Sequence, residues 1–360
     1  NKVKVRVTAD NLTNVIKNAT NVIIMGHVDT DMDALGSALG IKIIADYIKR
    51  KDNPDDKKFI PAYIVYDQKS VEKKTKMATT LSFSKEEMAT IFVTSHDLLT
   101  DKSDRSLIRP NTLLIVTDVS RPSYTMVPAL LDKVSNVAVI DHHRRAEDFL
   151  SSPVFTYIEP GASSTSELVA ELARYGNFPE IDITPKFATL MLAGIYLDTN
   201  YFRSNTTGMR TFEACMFLKD FGADNGQADD FLKDEYEEYS LITKIMSTAK
   251  TPYYGVVVAK ADAKDIIDRA TLAKVANQGI NLKGVSACFV IGMVEEKEVR
   301  ISARSDGSVN VQLLLEKIGG GGHQASAAAS FPGSTIEKVE AQLLAILEQY
   351  LSEARPERKK

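Results

Sequence analysis

Apolar and polar positions along this chain fall into two rhythms. Short apolar runs stop abruptly at acids or imidazoles, and longer stretches show helical spacing. Asn21 to Met25, Phe59 to Tyr66, Thr112 to Thr117 and Val137 to Ile140 read as strands. Leu12 to Ala19, Ala34 to Arg50, Ser166 to Tyr175 and Lys186 to Leu197 read as helices. The last is apolar throughout, which predicts burial on all sides. Lys51 to Lys58, with Pro54 inside it, reads as a charged loop. Strands alternating with helices predict an α/β domain with a mostly parallel sheet flanked by helices.

The pattern changes near Gly222. Gly222 to Gly226 is a turn, and Asp229 to Lys250 reads as a charged amphipathic connector helix. Beyond it, Tyr253 to Ala259, Val285 to Val294 and Glu298 to Ser302 read as strands, with helices over Ala263 to Asn277 and Ile336 to Leu351. This predicts a smaller α+β domain. The expected division is 1–225, a linker helix over 226–251, and 252–355. The tail Arg355 to Lys360 is charged and expected to fray.

Composition narrows the class. The 360 residues carry a formal net charge of -4, with 44% hydrophobic and 26% charged residues, as in a soluble globular protein. Mild acidity argues against a large surface for duplex nucleic acid. Cys215 and Cys288 are far apart with no C-x-x-C, so they read as core thiols of a reducing compartment. No run approaches the roughly 18 apolar residues of a membrane span, and no secretory leader is expected. The start at Asn1 rather than Met points to a piece of a longer protein.

Chemistry concentrates where the strands end. His27-Val-Asp-Thr-Asp31-Met-Asp33 follows the first strand. Asp29, Asp31 and Asp33 imitate a calcium loop, but Ala34 stands where the sharp turn needs Gly, and Gly40 where a bidentate Glu is needed. Asp118 ends the third strand, Asp141-His142-His143 follows the fourth, and Asp198 closes the apolar helix. In open α/β sheets ligands gather at the carboxyl ends of strands. Each acid alone could be a cap. Together they are more than one cation needs and suit two sharing a carboxylate. A carboxylate and imidazole set without thiolate favours Mn2+ or Mg2+, with Zn2+ or Co2+ also compatible. Two such ions about 3.5–4 Å apart can clamp a phosphoryl group and activate a hydroxide.

Two features mark the second domain. Gly319 to Gly322 leads into His323, and glycines let a loop present backbone N–H groups to an anion. No Lys-Ser or Lys-Thr follows, so it is not a Walker loop. The run reads as a binding loop, with a flexible linker as the alternative. Arg304 ends the strand Glu298 to Ser302 and could fork onto a phosphate, stack on a base, or stand solvated.

These pieces, in this order, resemble the DHH phosphoesterase superfamily in its DHH–DHHA1 branch. The resemblance covers nearly the whole chain. The branch includes RecJ-type exonucleases, nano-RNases and cyclic-di-AMP phosphodiesterases. Gly26 to Gly36, Ile140 to Arg145, Glu159 to Thr165, Leu197 to Phe202, Ser302 to Ser305 and Asn310 to Gln312 look most like the membrane-anchored cyclic-di-AMP enzymes. Asp29-Thr30 stands where that family often has Asn-Pro, so Asp29 is left out of the metal set.

The resemblance implies one metal on His27, Asp31 and Asp118, and another on Asp33, Asp118, His142 and Asp198, with Asp118 bridging. It implies two Mn2+ ions, or Mg2+ or Co2+. His143 would contact the phosphate, and Asp141 would orient the histidines. Arg304 and the run Gly320, Gly321, Gly322 and His323 would hold the distal part of the nucleotide. Ser163 and Ser164, before a helix, would bind phosphate or serve as caps. The implied reaction is hydrolysis of cyclic di-AMP to linear 5′-pApA. The alternatives are a nano-RNase acting on short linear dinucleotides and a nucleotide-sensing module without turnover. A homodimer is implied, as is a cytoplasmic catalytic region anchored to the membrane through segments absent from this chain.

Overall fold

The computed structural model describes residues 2–52, 59–100, 106–145 and 147–353. The charged loop expected up to Lys58 lies outside these beyond Asp52, as does the tail from Arg355. The chain divides into two compact units between Lys233 and Asp234.

The first unit is a six-stranded sheet of β1 (Val22–Met25), β2 (Tyr63–Val65), β3 (Phe92–Val93), β4 (Leu113–Thr117), β5 (Asn136–Asp141) and β6 (Phe155–Ile158). All pairings are parallel, and the order is β3-β2-β1-β4-β5-β6. The chain therefore runs outward from β1 to one edge, then restarts at β4 on the other side. That reversal opens a crevice between the carboxyl ends of β1 and β4, where ligands of such sheets bind.

Alternation along the strands explains the two cores. Val22, Ile24, Leu113, Ile115, Ala138 and Ile140 face one helical layer. Ile23, Met25, Leu114, Val116, Val137 and Val139 face the other side. Burial on both faces turns these strands into continuous apolar runs. The helices are α1 (Lys2–Asn18), α2 (Met32–Asp52), α3 (Lys73–Ser82), α4 (Lys85–Ile91), α5 (Ser95–Thr100), α6 (Thr165–Tyr175), α7 (Pro185–Thr199), α8 (Met209–Asp220) and α9 (Asn225–Asp230). The start of α2 is fixed by Asp31, whose Oδ1 accepts from the Asp33 and Ala34 amides at 3.0 Å each. Thr184 caps α7 ahead of Pro185, and Asn200 ends it in the left-handed region.

The second unit contains α10 (Tyr236–Met246), β7 (Lys250–Tyr253), β8 (Val256–Lys260), α11 (Arg269–Ile280), β9 (Ala287–Glu295), β10 (Glu298–Ser305), α12 (Val311–Glu316), β11 (Gly321–His323), β12 (Ser326–Pro332) and α13 (Ile336–Glu353). Its sheet runs β11-β12-β10-β9-β8-β7, antiparallel except for β8 with β9.

Three expectations change. The single connector helix is two helices, α9 and α10, with the unit boundary between them. The strand expected over Tyr253 to Ala259 is a hairpin, turned at Tyr254 and Gly255. The glycine run is no free loop: Gly321 to His323 pair with Ala328, Ala327 and Ser326 as an edge strand.

The tightest crossing joins α2 to α7. A Cβ at Gly36 would lie 2.9 Å from the Leu190 carbonyl oxygen and from Met191 Cα. One at Gly194 would lie 2.9 Å from Asp33 Cα and 2.7 Å from Ser166 Oγ. Backbone cannot step aside, so both helices need a bare Cα here. Gly to Ala inside a helix normally gains about 1 kcal/mol of propensity, whereas overpacking costs about 1–3 kcal/mol. Gly194→Ala is therefore expected to destabilise the protein in urea unfolding. A neutral or more stable variant would show that the crossing is looser than described.

Candidate metal centre

Every acid and imidazole expected from the first domain except Asp29 collects at the β1/β4 crevice. His27 leaves β1, Asp31 and Asp33 open α2, Asp118 leaves β4, Asp141 to His143 leave β5, and Asp198 closes α7. Three sets of ligand atoms each lie within 4.8 Å of one another: His27, Asp31 and Asp118; Asp33, His142 and Asp198; and Asp118, His142 and His143. Asp118 belongs to two of them.

Local bonding aims these groups. His27 Nδ1 meets the Val28 carbonyl at 2.7 Å, which leaves Nε2 facing Asp31 Oδ1 and Asp118 Oδ2, each at 3.5 Å. An imidazole held at one nitrogen presents the other as a ligand. His142 Nε2 lies 3.5 Å from Asp118 Oδ1 and 3.0 Å from Asp198 Oδ2. His143 is held by Asp141, whose Oδ1 takes its amide at 3.1 Å and its Nδ1 at 2.8 Å. The His143 ring is largely exposed and lines a cavity of about 480 Å3. Asp141 thus orients His143, whereas both histidines were expected to depend on it.

Asp33 and Asp118 are the buried members. Asp33 Oδ2 accepts the Thr165 amide at 2.7 Å and Oδ1 the Ser166 amide at 2.8 Å. The N-terminus of α6 thereby holds a fully buried carboxylate through free amides and the helix dipole. Asp118 has φ +63°, unusual for a residue with a Cβ, and its Oδ1 accepts the Thr165 hydroxyl at 2.8 Å.

Charge is the unresolved quantity here. Burial, then the charge of Asp33, hold the Asp118 carboxyl well above the usual carboxylate range. The same two causes push Asp198 up to about 6. Burial opposes a proton on His27, but Asp118 and Asp31 outweigh it and raise that group to about 11. Burial likewise opposes a proton on His142, and Asp198, Asp33 and Asp118 raise it to about 10. The pull toward protonated imidazoles marks a shortage of positive charge in the cluster. Divalent cations would supply it, and the donor set fits them: carboxylates and imidazoles only. His142 Nε2 is buried 3.0 Å from Asp198 Oδ2 but makes no well-aligned hydrogen bond among the described residues, an arrangement that suits a cation between them.

For Ser163 and Ser164 the contacts favour the cap alternative over phosphate binding. Both are buried. Ser164 Oγ caps α6 by accepting the Glu167 amide at 3.0 Å, and the Ser163 hydroxyl donates to Glu167. The first amides of α6 already carry the Asp33 carboxylate. In the second unit, Arg304 is half-buried, its Nε donating to Asn277 Oδ1 at 2.8 Å and Nη1 to the Ala303 carbonyl at 2.9 Å. His323 and Gly321 are exposed on β11. Gly320 and Gly322 have a packing reason instead, since a Cβ would come within 2.5 Å of the Ala328 carbonyl oxygen and 2.6 Å of Ala327 Cα. Sequence reasoning missed the backbone clamp of Thr165 and Ser166 and the bare crossing at Gly36 and Gly194. A glycine inside each apolar helical run was the one available signal.

A parallel sheet with a clustered Asp/His centre at its switch point, followed by a mixed-sheet unit, defines a two-domain α/β protein with a candidate site for divalent cations. The chain belongs to the DHH family: the DHH family N-terminal domain matches residues 21–195, and the DHHA1 domain matches residues 253–353. It is 35% identical over 350 residues to the cyclic-di-AMP phosphodiesterase PdeA of Listeria monocytogenes, covering 97% of this chain and 50% of that protein. It is 35% identical over 355 residues to the cyclic-di-AMP phosphodiesterase GdpP of Geobacillus thermodenitrificans, covering 99% and 51%. The chain therefore spans about half the length of these curated relatives. An exopolyphosphatase-related protein from Bacteroides fragilis, 20% identical, shares the fold with a TM-score of 0.71 over 96% of each chain.

Metal analysis separates the groups. Asp118→Ala is expected to lose most bound Mn2+, and His143→Ala to keep nearly all of it. Two tightly held ions per chain in Asp118→Ala would rule out a shared carboxylate.

Metal-free protein should respond to pH through Asp198. Its folded pKa of about 6 lies above the unfolded value of 3.8, so its carboxyl favours folding at low pH and loses that contribution as pH rises through about 6. In chelator, Asp198→Asn should gain Tm relative to the unsubstituted protein between pH 4 and about 7. A difference independent of pH would show that Asp198 is not charged against its neighbours.

Proposed function

We propose that this chain is the catalytic region of a metal-dependent phosphodiesterase that hydrolyses cyclic di-AMP to linear 5′-pApA. The observation that carries the reading is the convergence of His27, Asp31, Asp33, Asp118, His142 and Asp198 at one crevice, where Asp118 faces both His27 and His142 at 3.5 Å. Similarity to relatives named as cyclic-di-AMP phosphodiesterases supports the substrate.

Two divalent cations, Mn2+ in the first instance, would supply an activated water and charge to neutralise the phosphodiester. Asp118 would share its oxygens between them, as its position between His27 and His142 supports. Asp33 stays fixed by α6 and cannot swing with the substrate. Asp141 pins one side of His143, leaving Nε2 for a phosphate oxygen or the departing 3′-oxygen. Arg304, Gly321 and His323 would hold the distal nucleotide, with Gly320 and Gly322 keeping their strand packed on β12. Among the described residues no helix is long and apolar enough to cross a membrane. We assign the chain to the cytoplasmic side of a longer, membrane-anchored homodimeric protein.

Remote contacts orient a reacting phosphate and so act on kcat/KM. Replacing both Arg304 and His323 by Ala should lower kcat/KM for cyclic di-AMP at least tenfold, about 1.4 kcal/mol. Bis(p-nitrophenyl) phosphate, which depends on the metals alone, should change little. Equal losses on both substrates would mean that these residues support the fold. Faster turnover of pApA than of cyclic di-AMP by the unsubstituted protein would move the assignment to a nuclease of short linear dinucleotides.

A further inference from the structure

One wall of the cavity at the metal centre is not used by the acid–imidazole chemistry. Val28, Val119, Arg121 and Tyr124 line it beside His27, Asp118 and His143. Val28 is 40% and Tyr124 51% exposed, a large apolar area to leave facing water next to a charged site. Its volume of about 480 Å3 suits a small ligand, since such pockets span roughly 300–1,000 Å3.

Arg121 packs over Tyr124 on this wall. Its guanidinium carbon is 4.4 Å from the Tyr124 ring centroid. Its Nε donates to Asp148 Oδ1 at 2.9 Å, and the Ser123 hydroxyl donates to Asp148 Oδ2 at 3.4 Å. The arginine charge is thus matched locally by Asp148. A phosphate would have to displace Asp148, whereas a flat ring would not. Arg144, on the same cavity, has no ion pair among the described residues and is the better cation for phosphate.

The wall is also in register with the metal ligands. His27 forms an antiparallel bridge with Thr125. The Val28 amide donates to the Tyr124 carbonyl at 2.8 Å, and the Met126 amide to the Gly26 carbonyl at 2.9 Å. Pro122 opens the tight turn Pro122–Tyr124, and the Thr125 hydroxyl closes it on the Pro122 carbonyl at 2.8 Å. An aromatic ring, an aliphatic side chain and a neutralised guanidinium are thereby tied by backbone bonds to a candidate metal ligand.

We propose that Val28, Tyr124 and Arg121 form a shelf on which one nucleobase, next to the scissile phosphate, stacks. This rests on the phosphodiester reading and adds to it a base subsite within the first unit. Stacking needs only a π face and tolerates different bases, so the shelf would fix the position of the nucleotide and leave the choice of base to other contacts.

The chain has no tryptophan, so Tyr124→Trp installs a single reporter. With Mg2+ present, AMP is expected to quench or shift its emission, and ribose 5-phosphate, which has no base, to leave it unchanged. Tyr124→Ala should raise KM for cyclic di-AMP at least fivefold, the lower end for loss of one stacked base, with a smaller change in kcat and with metal content retained. Tyr124→Phe, which keeps the ring, should recover most of that loss. Equal responses to AMP and ribose 5-phosphate, or no response to either, would overturn the shelf, as would an unchanged KM in Tyr124→Ala. Failure of the unsubstituted protein to hydrolyse cyclic di-AMP would overturn the proposed function instead, and the fluorescence titration would still decide the shelf.

Discussion

The carboxylate of Asp33 on the amino end of α6 is the interaction on which the rest of the site depends. A buried acid without partners would simply take up a proton. Here two backbone amides, at 2.7 and 2.8 Å, compensate both oxygens. The bond ties α2 to α6, and the bare crossing at Gly36 and Gly194 brings α7 against the same point. Asp198, near the end of α7, is thereby delivered beside Asp33 and His142. Behind α6 the support continues: Arg210 grips Glu171 with two hydrogen bonds of 2.8 and 2.6 Å, and Thr211 donates to Glu167 at 2.7 Å. These polar groups hold the helix whose first turn holds Asp33.

Fixing the acids this rigidly has an electrostatic consequence. Asp118 and Asp198 are pushed toward their protonated forms by burial and by Asp33, while His27 and His142 are pulled toward theirs. A shared drift toward protonation within one cluster means that the protein has gathered more negative charge than it can balance with side chains. Such a cluster is costly to keep unless a cation completes it. The left-handed backbone of Asp118 adds strain of the kind found at functional sites, on the order of 1–3 kcal/mol. Thr165, whose amide serves Asp33, also binds Asp118 through its hydroxyl. One residue therefore fixes the spacing between these two buried acids.

How much of this was legible in the sequence follows from what each residue contributes. The acids and imidazoles were readable because metal chemistry restricts side-chain type, and because each follows an apolar run whose end is visible. The four strands β1, β2, β4 and β5 were readable for the same reason, although Tyr63–Val65 is shorter than its apolar pattern. The clamp on Asp33 was not, because backbone amides can come from any residue and Thr165 and Ser166 advertise only a cap. β12 was hidden by composition: Ser326 to Ser330 is almost all Ala and Ser, weak strand formers, and pairing with β10 overrides propensity. The connector at 226–251 read as one helix because its charge pattern is continuous, whereas the chain breaks between Phe231 and Glu235.

The glycine run shows why residue type alone underdetermines function. Read in isolation, four glycines before a histidine suggest close approach of a ligand. The structure divides them. Gly320 and Gly322 are needed because the β12 backbone and Ala329 crowd the positions a Cβ would occupy, whereas Gly321 meets nothing within 4 Å. Packing explains two of these glycines and the left-handed backbone of Gly319 (φ +80°) a third, which leaves Gly321, with His323 beside it, without a structural reason. Those two lie on an edge strand whose outer side is exposed. A ligand-binding role for the run therefore rests on these two positions, and the close packing of their neighbours is what holds them in a fixed strand rather than a mobile loop.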